Sequence, residues 1–168
     1  MIWKGYNMRR LFLALASLVF LVSCGPSVPP PMPVQLAAEA QVRFGESRFT
    51  AQVAQEHPGA LMLEFTAPEE LQGMRLSLQG DNASLRYGEL DVELPANALP
   101  AANAAALLNH VLLRLAQPGA EGFTRVRGGG WTLKGTANGL HYQANINAEG
   151  VLTQIEAPSA ALEIKLYD

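Results

Sequence analysis

Few side chains in this 168-residue chain have both the type and the spacing to do chemistry. One thiol exists, that of Cys24, and a thiolate is a strong nucleophile. A lone cysteine excludes an intrachain disulfide and a cysteine-rich metal centre. His57, His110 and His141 fall in a predicted turn, helix and strand and form neither HxxxH nor HxH, so zinc has no local framework. No GxSxG elbow offers a serine nucleophile. Asp91 and Glu93, which follow Glu89 at alternate positions, would stand about 6.6 Å apart on one strand face at ~3.3 Å per residue. That approaches the carboxylate separation of inverting glycosidases. Leu90, Val92 and Leu94 alternate with them and claim the buried face. The acids are left in water, without the raised pKa that a general acid needs. Glu69 and Glu70, after Pro68, read the same way. The glycine-rich stretch Gly119–Gly130 has neither phosphate-loop spacing and reads as a surface loop. The chain is expected not to be an enzyme.

The surroundings of Cys24 give it a different use. Residues 1–23 contain Lys4, Arg9 and Arg10 and no acid, followed by the apolar run Leu11–Val22. As a helix those residues would rise about 18 Å at ~1.5 Å each, short of the ~30 Å that a membrane core demands. The pattern is that of a signal peptide. Leu21-Val22-Ser23-Cys24 resembles the lipobox of bacterial lipoproteins. That resemblance implies cleavage after Ser23 and a diacylglyceryl and acyl lipid, palmitate-like, attached covalently to Cys24, with no other cofactor. It implies an extracytoplasmic protein anchored to the membrane by its lipid. Gly25 stands where an inner-membrane retention aspartate would be, which favours the outer membrane in a Gram-negative source.

Residues 24–33 read CGPSVPPPMP, a tether that prefers extended polyproline II. At ~3.1 Å per residue it reaches about 30 Å. Nine of the 12 basic side chains and all 15 acidic ones follow residue 23, leaving a net charge of −6 there. Such a balance lacks the basic footprint of a nucleic-acid partner. The sequence carries no signal for oligomeric state.

The elements that would position any site lie in one domain, residues 34–168. Apolar residues alternate through Leu61-Leu63-Phe65, Met74-Leu76-Leu78, Leu90-Val92-Leu94, Leu140-Tyr142-Ala144-Ile146 and Leu162-Ile164-Leu166. Turn pairs such as Asn138-Gly139 separate them. About ten short strands result, apolar on one face, as in an antiparallel sheet with a wet side. Ala104, Leu107, Leu108, Val111, Leu112 and Leu115 instead recur at three and four, predicting an amphipathic helix over about 101–117. Asn109, His110, Arg114 and Gln117 lie elsewhere on its wheel. The fold expected is mainly β (α+β): a curved antiparallel sheet forming an open or half β-barrel, with the helix on its concave face.

This order of elements, with the phrase Gly59-Ala-Leu-Met-Leu-Glu-Phe-Thr-Ala-Pro68 and the later Gly80-Asp81, resembles the LolA/LolB-like lipoprotein carriers. Glu69-Glu70-Leu71 replaces the aromatic–arginine pair usual after that proline, and a leading helix is absent or very short. The resemblance implies a module that binds an acyl chain, a lipoprotein or another apolar ligand between sheet and helix. Leu63, Phe65, Leu76, Leu78, Val92, Leu108 and Leu112 are the candidate cavity lining. The alternative is an envelope protein with a filled core that acts through its surface.

Overall fold

The structure is a computed structural model that describes residues 36–80, 82–95, 100–117, 119 and 121–167. The expected signal peptide, Cys24 and the tether lie outside the described residues. Eleven strands form one sheet: β1 (Leu36–Phe44), β2 (Ser47–His57), β3 (Ala60–Ala67), β4 (Arg75–Gln79), β5 (Asn82–Tyr87), β6 (Leu90–Pro95), β7 (Phe123–Arg125), β8 (Trp131–Ala137), β9 (Leu140–Ile146), β10 (Leu152–Ala157) and β11 (Leu162–Tyr167). The single α-helix of the described residues, α1 (Pro100–Leu115), joins β6 to β7.

The strand order is β6-β5-β4-β3-β2-β1-β11-β10-β9-β8-β7, antiparallel at every pairing. Two meanders, β1–β6 and β7–β11, meet at the β1–β11 pair, and β6 and β7 are the free edges. The sheet does not close into a barrel. Tight turns drive the meanders. At Asn138-Gly139 both residues take positive φ (49° and 78°), which suits a two-residue hairpin between right-twisted strands. Exposed ion pairs sit across the register, Arg75–Glu64 at 3.1 Å and Arg86–Asp91 at 2.7 Å; such pairs contribute little to stability. Asp91, Glu93 and Pro95 on β6 and the brevity of β7 guard the edges against pairing with another chain.

Eleven strands at ~4.8 Å would extend about 48 Å if flat, whereas a helix is only about 10–12 Å across. Nevertheless α1 packs on β4, β3, β1 and β11, bonds to Gln55 of β2, and meets Tyr142 of β9. The sheet must therefore curve around α1. Alanine lines both surfaces: Ala40 and Ala51 in the sheet, and Ala102 and Ala105 in the helix, are fully buried. Such small side chains let the helix axis lie close to the strands.

Two readings of the sequence change. Gly119–Gly130, expected to be loop throughout, contains edge strand β7, paired from Phe123 opposite Leu133 to Arg125 opposite Trp131. Three residues among glycines are too few to show a period. The helical wheel places Asn109, His110 and Arg114 off the apolar stripe, yet Asn109 is buried and the other two are half-buried. A helical wheel assumes one flat partner, and this sheet encloses α1 on more than one side.

Candidate functional site

The inward positions of the strands and the facing side of α1 build one apolar interior. Leu63, Phe65, Leu76, Leu78 and Leu108 are each at most 2% exposed and belong to one core cluster. Phe65 also packs on Phe49, ring centroids 5.2 Å apart. Leu112 is partly buried against the cluster. Val92, on edge strand β6, is only partly buried. The structure thus brings most of the candidate lining residues together. α1 packs directly on β3 and β4, and Leu63, Phe65, Leu76, Leu78 and Leu108 are left almost without exposed surface.

Polar groups interrupt that interior in two places. Gln55 follows Phe49, Ala51 and Val53 on the inward phase of β2 and is 4% exposed; Asn109 of α1 is 5% exposed. Gln55 Nε2 donates to Asn109 Oδ1 at 3.3 Å, fastening helix to sheet. Gln55 could have been found as a polar residue in an apolar phase, and Asn109 only by knowing how far the sheet wraps.

The second place lies between the C-terminal half of α1 and β8–β9. His110 meets the Tyr142 ring at 5.7 Å, edge to face. Tyr142 is 4% exposed, and its hydroxyl has no hydrogen-bond partner among the described residues. Its ring crosses the space above Gly135, its partner on β8: a Cβ there would come within 2.5 Å of Tyr142 Oη. Glycine is what lets the ring lie down. One turn beyond His110, Arg114 Nη2 donates to the Glu121 carbonyl at 2.8 Å, while its Nε is buried without a partner among the described residues. Burial pushes His110 below its ordinary value, and the Arg114 charge adds to that. Burial raises the Tyr142 phenol, which Arg114 partly offsets.

The His110 shift has a consequence for pH dependence. An unfolded histidine titrates near 6.5, so below that pH the unfolded chain takes up a proton that the folded chain resists. The stability that His110 contributes is fully present above about pH 6.5 and is lost as pH falls through its lower folded value. Melting temperature is expected to decline from pH 7.5 to pH 5.5, and His110→Gln should flatten that decline. Glu163, whose carboxyl is held low first by its hydrogen bond from Lys165, titrates below this window.

The outer face is shallow and solvated. One hollow there, about 520 Å³, is walled in part by Arg43, Arg48, Glu163 and Lys165. Glu163 pairs there with Arg43 at 3.3 Å and Lys165 at 3.2 Å. Glu89, Asp91 and Glu93 line the exposed side of the β5–β6 hairpin, and Glu69 and Glu70 are exposed after Pro68. His57 and His141 are exposed too, and His141 Nδ1 lies 3.0 Å from Thr136 Oγ1. Among the described residues no three of histidine, cysteine, aspartate and glutamate cluster to hold a metal.

No family model matches the sequence, and no curated protein matches it. Solved structures that are similar over most of the chain include the following two. An uncharacterized conserved protein from Thermus thermophilus is 17% identical, with a TM-score of 0.46 over 77% of this chain and 73% of its own. A LolA superfamily protein from Nitrosomonas europaea is 11% identical, with a TM-score of 0.38 over 79% of this chain and 68% of its own.

Proposed function

We propose that the chain is an exported envelope protein, anchored through a lipid on Cys24, that catalyses nothing. On this reading it binds the acyl part of a lipid or lipoprotein on the concave face of its sheet. The observation that carries the proposal is the construction of that face. Buried apolar side chains from most of the strands are covered by one 16-residue helix, and its cover is fastened in part by an amide pair, Gln55–Asn109. Such a bond nets only about 1 kcal/mol because water can replace either partner. The rest of the hold on α1 is apolar burial, which a chain of methylenes taking the helix's place would supply in turn. Each methylene that leaves water contributes roughly 0.8 kcal/mol.

A second reading has its own support. The near-complete burial of Leu63, Leu76, Leu78 and Leu108 favours a permanently filled core, with the outer face in contact with another envelope component.

Native mass spectrometry separates the two. The full chain carrying Cys24→Ser, exported by a bacterial host, is expected to retain a mass that extracts as lipid. A bare protein mass, with no binding of an apolar dye, would leave only the filled-core reading.

A further inference from the structure

We propose that Tyr142 Oη and Arg114 Nε form the head-group end of the concave site, and that its ligand is a single-chain amphiphile ending in a carboxylate. This rests on the reading of the concave face as a ligand site. Buried side-chain polar atoms nearly always have partners, and these are the two that lack one among the described residues. They belong to one locality. His110 packs on Tyr142, and Arg114 follows His110 by one helical turn. Arg114 holds the Glu121 carbonyl, beside Gly122, whose own carbonyl accepts from Lys134 N on β8. Residue 135, next on β8, lies beneath the Tyr142 ring.

The chemistry of the pair selects the ligand. Guanidinium Nε–H and phenol O–H both donate, and the two oxygens of a carboxylate accept such donors together. Among the described residues no acid pairs with Arg114, so its charge is open to an external anion. His110 is held toward its neutral form and Tyr142 toward its protonated form, which leaves one positive charge to be balanced. A carboxylate carries one negative charge; a phosphate monoester carries more and offers more acceptors than these donors can meet. The alkyl chain would continue along the inward face, where Leu133 and Ala144 flank Tyr142 on the paired strands and are fully buried.

The test uses the full chain carrying Cys24→Ser, so that no covalent lipid competes, titrated with dodecanoate, dodecanol and dodecyl phosphate. Arg114→Gln and Tyr142→Phe are each expected to weaken dodecanoate binding about tenfold or more, as loss of a charge-assisted hydrogen bond does. Dodecanol affinity should not change. Tyr142→Phe removes one oxygen and keeps the ring on His110 and above Gly135, so it decides the matter if Arg114→Gln does not fold. Equal dodecanoate binding in parent and Tyr142→Phe would mean that water satisfies these atoms and would overturn the head-group assignment. Dodecanol binding in that case would still uphold the concave-face reading. Dodecyl phosphate binding tighter than dodecanoate would overturn the choice of carboxylate. Failure of all three probes would overturn the site and the reading beneath it together.

Discussion

Cys24→Ser is expected to leave the precursor unprocessed by the lipoprotein peptidase and to abolish its labelling by radioactive fatty acid. The size of the effect follows from hydrocarbon transfer. Each buried methylene of an acyl chain is worth about 0.8 kcal/mol, one chain alone gives marginal reversible binding, and two anchor stably. The serine hydroxyl lacks the thiol's nucleophilicity, so no chain is added and the whole term disappears. No helix of the described residues is long and apolar enough to cross a membrane. Electrophoresis and labelling of parent and variant check the prediction, and normal lipid labelling of Cys24→Ser would sink the anchor.

The largest stability effect is expected at Leu108. Its side chain is 1% exposed on the face of α1 that meets the sheet. Leu108→Glu forfeits about 1.5–3 kcal/mol of apolar burial and puts a carboxylate where it has no partner, at a further cost of several kcal/mol. Against a total stability of about 5–15 kcal/mol, a loss of about 4 kcal/mol or more should be plain in a urea titration. Leu108→Ala, which leaves a void but no charge, should cost about 2–5 kcal/mol. If α1 is a liftable cover, Leu108→Glu should retain a β-sheet circular dichroism spectrum while gaining apolar-dye binding. If α1 is an integral core element, sheet and helix should melt together. Unchanged stability would contradict the packing of α1 on the sheet.

Most of the fold was legible because two periods carry it. Strict alternation marked β3, β4, β9 and β11, glycine-bearing turns separated them, and a spacing of three and four marked α1 against that background. The helix was expected to end near residue 117 and ends at Leu115, ahead of the glycine-rich stretch. β7 escaped because a three-residue edge strand is defined by its partner and not by its own pattern. The buried side of the candidate site was half legible. The leucines announced themselves, while His110, Arg114 and Tyr142 acquire significance only when the sheet wraps far enough to bring β9 to the helix. That wrap depends on curvature accumulated over many strands, which no local window of sequence contains.

The position of β1 bears on how the molecule would withstand a pull. Leu36, where the described chain begins, opens a strand that lies in the middle of the sheet, hydrogen-bonded to β2 from Leu36 to Phe44 and to β11 from Glu39 to Phe44. Ladder bonds in an antiparallel pair run perpendicular to the strands. A force entering along β1 from its N-terminal end therefore shears both ladders at once, whereas a force on an edge strand can peel its bonds one at a time. If a membrane anchor tugs on this domain, it tugs on a strand gripped from both sides.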